Sequence, residues 1–159
     1  MGIHVLTHTQ TIPASLEECW AFFSDPRNLC KIMPPELDFR VRSDLPPKVH
    51  CGMMIEYQVR PLFGIPVTWL TEITHVEELR HFVDEQRVGP YALWHHEHWF
   101  RAIDAERTEV RDRVHYIIPL GLLGEMVRPL LVEPQLEKIF RFRREAVDRI
   151  FGEEAATPR

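Results

Sequence analysis

The sequence predicts an α+β domain in which a curved antiparallel sheet of seven strands wraps around one long C-terminal helix, with two short helices after the first strand. Three observations lead there. Seven segments between residues 3 and 118 carry the alternating pattern and β-forming residues of strands. The connections between them are short and rich in turn residues, notably Pro46-Pro47, Gly64 and Gly89-Pro90. After residues 119–124 the apolar period changes from two to 3.6, and the helix so marked is the large apolar element left to cover the sheet.

In chain order, residues 3–12 alternate Val5, Thr7 and Thr9 against Leu6, His8 and Gln10, and Pro13 stops that strand. Ser15 followed three residues on by Glu18 is a capping box, which starts a short helix to residue 25 with Leu16, Cys19, Trp20 and Phe23 as its buried stripe. Asp25-Pro26 starts a second short helix, with Leu29, Ile32 and Met33 apolar, and Pro34-Pro35 ends it. Strands follow at 37–43, 53–59, 67–76, 82–88, 91–103 and 108–118, the last four as an up-and-down meander. Pro129 makes residues 124–132 a separate or kinked helical piece. Pro134 fits the first turn of the final helix, whose apolar face carries Leu136, Ile139, Phe140, Phe142, Val147, Ile150 and Phe151.

A length of 159 residues fits one domain, expected over 1–152 with 153–159 as a frayed tail. A net charge of −5 argues against a nucleic-acid binder, which carries a basic face. No apolar run approaches the roughly 20 residues of a membrane helix, and the N-terminus lacks the basic and apolar regions of a secretory signal. Cys19, Cys30 and Cys51 have no metal-like or CxxC spacing and are expected to be reduced thiols. A cytoplasmic location follows as the expectation; no oligomeric state does.

The stretch with most chemistry is residues 82–100. Alternation puts Trp94, His96, His98 and Phe100 on one face of their strand, and His95, Glu97 and Trp99 on the other. Counting outward from the turn at residues 88–90 sets Phe82, Asp84, Gln86 and Val88 beside the first group. Val110, Asp112, Val114 and Tyr116 can share that face from the next strand. The face is apolar at its ends and ionisable in its middle. It is either the wet side of the sheet or the lining of a cavity.

The order of elements over residues 3–151 resembles the helix-grip superfamily called START-like or SRPBCC. Three runs carry a nearer likeness to its bacterial ligand-binding or cyclase/dehydrase-like members: GPY-x2-W-x-H-x-H-x-F at 89–100, D-x-V-x-Y-x2-PLG-x-LG at 112–124, and L-x2-IF-x-FR at 136–143. The resemblance implies an internal cavity between sheet and C-terminal helix that holds a small hydrophobic or aromatic ligand, lipid- or polyketide-like. It does not fix an activity.

Taken together, the expected ligand-binding residues are Tyr57, Trp69, Thr71, Asp84, Gln86, Trp94, His96, His98, Phe100, Asp112, Tyr116, Leu136, Ile139 and Phe140. A cyclase- or dehydratase-type enzyme is the alternative, with His96 or His98 as general base, Asp112 behind it and Tyr116 donating to a ligand carbonyl. Against both stands a structural network in which the histidines only bridge strands. Phe63, between prolines, is a candidate gate, and residues 120–123 with Met126 flank an entrance or lead into the helix. His96 and His98 with Asp112 or Asp84 also have metal-ligand chemistry. However, HxH on one strand is a weak signal and the resemblance brings no metal, so neither metal nor cofactor is expected.

Overall fold

The structure is a computed structural model that describes residues 2–61 and 64–156. Strand β1 (His4–Ile12) leads into helix α1 (Leu16–Phe23) and two 3-10 segments, Pro26–Ile32 and Pro35–Leu37. Strands β2 (Arg40–Val41), β3 (Met54–Val59), β4 (Val67–Glu77), β5 (His81–Val88), β6 (Leu93–Ala102) and β7 (Thr108–Ile117) follow. The chain closes with helix α2 (Gly121–Val127), a π-helical turn at Arg128–Val132 and helix α3 (Glu133–Ala156).

The seven strands form one curved antiparallel sheet in the order β1-β7-β6-β5-β4-β3-β2, so the first strand pairs with the last. Its concave face carries two apolar clusters. One gathers Ile12, Trp20, Ile55, Val147 and Phe151 under α1 and the C-terminal half of α3; the other gathers Trp94, Val114, Tyr116, Leu136 and Phe140. No helix among the described residues is long and apolar enough to cross a membrane.

The local signals act as the residues dictate. The Ser15 hydroxyl accepts from the Glu18 amide at 3.3 Å, and the Glu18 carboxylate accepts from the Ser15 amide at 2.9 Å. Ser15→Ala is expected to cost about 1 kcal/mol, which thermal unfolding reads as a drop of roughly 2–4 °C. Pro129 sits in the π turn, where its missing amide is accommodated between α2 and α3.

Two expectations change, and a third falls outside the described residues. The strand expected at 37–43 shrinks to Arg40–Val41, because Pro35–Leu37 continues as a 3-10 turn and Asp38 takes a left-handed φ of 43°. Helix α3 runs past Gly152 to Ala156, while residues 157–159 of the expected tail lie outside the described residues. Phe63, the candidate gate, also lies outside them.

The β4–β5 pairing contains two irregularities. Leu70 opposes Val88 but Thr71 opposes Gln86, so Arg87 is an extra residue; Ile73 opposes Asp84 but His75 opposes Val83, so Thr74 is another. The first turns Val88 out of the expected face, to 52% exposure. The second sends His75 and Glu77 outward while Val76 packs on the core.

Candidate functional site

Between sheet and α3 lies a cavity of about 170 Å³. Its apolar walls come from β3 (Ile55, Tyr57, Val59), β4 (Trp69, Ile73), α3 (Leu136, Ile139, Phe140) and the helical segment after β1 (Phe22, Phe23, Leu29, Ile32, Met33). Tyr91 and Trp94 pack with Trp69 beside it, the two indoles edge to face at 5.3 Å and 89°. Asp84, His96, His98 and Arg143 supply polar lining.

Register assembles that polar group. Asp84 on β5 stands opposite His96 on β6, and His98 stands opposite Asp112 on β7. The His98 Nε2–H donates to Asp84 Oδ1 at 2.7 Å, and His98 Nδ1 lies 2.9 Å from Asp112 Oδ1. The His96 ring joins the same two carboxylates, with Nε2 at 3.0 Å from Asp112 and Nδ1 at 3.5 Å from Asp84. Arg143 reaches in from α3, 3.4 Å from Asp112, with its guanidinium 5.6 Å from the Phe23 ring centroid. Both histidines are 5% exposed, and Asp112 and Arg143 are 8% exposed. Buried ions of this kind persist only when paired.

The electrostatics divide the two rings. Burial presses both imidazoles toward neutrality. At His96 it prevails, reinforced by His98, and lowers the pKa; at His98 the hydrogen bonds and charges of Asp112 and Asp84 overcome it and raise the pKa. Burial alone would raise the carboxyls, but Arg143 and the histidines hold Asp112 well below the usual range, and the histidines with Arg143 hold Asp84 below it. With His98 and Arg143 charged, His96 neutral and both carboxylates ionised, the formal charges cancel. His96 then donates Nε2–H to Asp112 and keeps a lone pair on Nδ1.

Stability should follow these protonation states. Below the ordinary histidine value of 6.5 the unfolded chain protonates both imidazoles while the fold keeps His96 neutral, so stability falls as pH falls. Above 6.5 the unfolded chain loses protons that the fold still holds on His98, so stability falls as pH rises through the elevated folded value. Asp84 and Asp112 contribute stability above the usual carboxylate range, which is lost as pH falls through their depressed values. Thermal unfolding in EDTA-containing buffer is expected to show a contribution from the cluster that peaks near 6.5, and His98→Gln should flatten the alkaline limb. An alkaline limb unchanged in that variant would mean that His98 is not charged in the fold.

Ten of the expected site residues line the cavity: Tyr57, Trp69, Thr71, Asp84, Trp94, His96, His98, Leu136, Ile139 and Phe140. Four lie elsewhere. Gln86 stands opposite Thr71, before the register slips at Arg87, but its side chain is taken up by the turn: its amide donates to the Tyr91 carbonyl at 2.7 Å and accepts from the Tyr91 amide at 3.2 Å, pinning the β5–β6 connection. A Cβ on Gly89 would meet the Gln86 side chain, so glycine leaves room for this clasp. Phe100 packs against Trp20 at 5.3 Å and Phe23 at 5.7 Å, in the core below α1. Asp112 stands behind the histidines. Tyr116 is 3% exposed and packs with Trp94, Val114, Leu136 and Phe140, outside the cavity lining.

Arg143, Tyr91 and the wall at residues 22–33 were not among the expected site residues. For Arg143 a signal existed: it follows Leu136, Ile139 and Phe140 by seven, four and three residues, which places a lone cation in the apolar stripe. On the outer face, His95 meets Glu85 at 2.8 Å and Glu97 at 3.6 Å, a half-exposed pair as alternation predicts. Asp84, His96 and His98 each present a metal-ligating atom within 4.8 Å of the others, as do His75, Glu77 and His81 outside.

No family model matches the chain, and no curated protein matches it. Solved structures do. Zhui aromatase/cyclase from Streptomyces sp. R1128 is 17% identical, over 94% of this chain and 96% of that one, with a TM-score of 0.67. A START superfamily protein from Mycobacterium smegmatis is 15% identical over 92% and 99%, with a TM-score of 0.68. A norcoclaurine synthase point mutant from Thalictrum flavum, in complex with a transition-state analogue, is 13% identical over 98% and 98%, with a TM-score of 0.70. The chain therefore has the START-like, helix-grip fold. At these identities the likeness is one of fold.

Proposed function

We propose that the protein takes up a small aromatic molecule, one ring with an oxygen substituent, and orients it against the Asp84–His96–His98–Arg143 side of its cavity. The observation that carries this is a lined space with apolar walls and one charge-balanced polar side. Its volume of about 170 Å³ sets the class. An apolar cavity of about 150 Å³ holds benzene, whereas drug-sized ligands occupy roughly 300–1,000 Å³. This volume supports the small-ring end of the expected range over its lipid- and polyketide-sized end.

The test is uptake of phenol, benzaldehyde and acetophenone by metal-free protein in EDTA, followed by Trp69 and Trp94 fluorescence and native mass spectrometry. One ligand per chain, bound saturably, is the expected result. Folded protein that binds none of the three would refute the reading.

A second reading is proton removal beside a ligand carbonyl, the cyclase/dehydratase-type chemistry. It is favoured by one pairing: neutral His96 with Asp112 at its Nε2 and an unprotonated Nδ1 on the cavity side, 3.5 Å from Asp84. His98 and Arg143 would face the oxygen that gains charge. Exchange of the methyl protons of acetophenone into deuterium oxide checks it. His96→Gln is expected to abolish the exchange and leave uptake within a few-fold; exchange that survives His96→Gln rules this base out.

A further inference from the structure

We infer that Asp84, His96 and His98 form a site for one divalent first-row transition metal, zinc(II) or iron(II), open to the cavity. His96 and His98 lie two apart on β6, Asp84 stands across from them on β5, and their three ligand atoms fall within 4.8 Å of one another. Asp84 Oδ1 is already 2.7 Å from His98 Nε2 and 3.5 Å from His96 Nδ1. Ligands held about 2.0–2.2 Å from a zinc-sized ion stand roughly 3–3.5 Å apart, so small side-chain rotations close the triangle.

The second observation lies behind the rings. His96 Nε2 and His98 Nδ1, the nitrogens turned away from Asp84, lie 3.0 and 2.9 Å from one carboxylate oxygen of Asp112, which Arg143 approaches at 3.4 Å. Metal-bound imidazoles characteristically give their remote N–H to a carboxylate, which fixes the tautomer and the ring. Here one carboxylate does this for both rings and leaves both front nitrogens facing Asp84.

Three protein ligands leave coordination positions open toward the cavity, as in metal sites that bind substrate. Two neutral imidazoles, Asp84, Asp112, Arg143 and a dication sum to a formal charge of +1. The open position therefore suits an anionic oxygen: a phenolate, enolate or carboxylate. The outer trio His75, Glu77 and His81 lacks comparable backing, since Arg80 engages Glu77 at 2.7 Å.

The inference is independent of aromatic uptake, because metal is titrated without organic ligand and uptake is measured in EDTA. Chelator-stripped protein is titrated with zinc(II) by calorimetry. One zinc per chain is expected, retained in His75→Ala, lost in His96→Gln and weakened roughly 10–100-fold in Asp112→Asn. The inference falls if folded wild-type protein binds no stoichiometric zinc, or if His75→Ala abolishes uptake that His96→Gln leaves intact. Should His96→Gln fail to fold, X-ray absorption of zinc-loaded His75→Ala decides. Two imidazole ligands support the buried site, and one or none overturns it.

Discussion

Asp112→Ala is expected to lower the melting temperature by on the order of 10 °C. The Asp112 carboxylate is the common partner of His96, His98 and Arg143, at 3.0, 2.9 and 3.4 Å. Removing it leaves the His98 and Arg143 charges buried with Asp84 as their remaining counter-ion. Breaking a buried pair from one side costs about 3–5 kcal/mol, and each kcal/mol is worth roughly 2–4 °C in a domain of this size. Calorimetry on Asp112→Ala, with exposed Glu137→Ala as control, measures it. A loss no larger than the control's would mean that water screens the cluster, contrary to its burial.

Ile139→Trp is expected to abolish aromatic uptake while leaving the fold intact. Ile139 projects from α3 into the cavity, opposite the sheet residues Tyr57, Trp69 and Thr71. An indole occupies a volume comparable to the space available, so the variant fills the cavity from within. Overpacking a dense core costs about 1–3 kcal/mol; here much of the added bulk enters existing space, so the melting temperature should move by only a few degrees. Unchanged uptake with a cooperative melt would place the ligand elsewhere. Zinc uptake should persist in this variant, since the three metal-ligating side chains are untouched.

The sequence was most legible where one period governed. Alternation along β6 put His96 and His98 beside Trp94, and counting from the turn set Asp84 on the same face; in the structure Asp84 pairs with His96, and Asp112, expected across from one of the two histidines, stands opposite His98. The Ser15–Glu18 box and the break at Pro129 were legible because each rests on adjacent residues. The count failed where an extra residue entered. Arg87 breaks the β4–β5 register, and with it went the placement of Val88, because no local signal marks a bulge that contains no glycine. Tyr116 lay on the expected face but beneath a later part of the chain, which strand periodicity does not see. Arg143 was overlooked for the opposite reason: its helical spacing was visible, but a cation in an apolar stripe was not connected with the acid on a distant strand.

The shared Asp112 oxygen also bears on how this protein can change over generations. Each of its three partners depends on the same atom, so their substitutions are not independent and their effects do not add. A lineage that loses Asp112 alone, or Arg143 alone, passes through a form with an uncompensated buried charge. Replacement of the whole cluster by apolar residues of similar volume, by contrast, is often neutral or stabilising. Descendants should therefore carry these five positions in one of two states, all ionisable or all apolar, with mixed sets rare. That inheritance pattern belongs to the group, and not to any one residue in it.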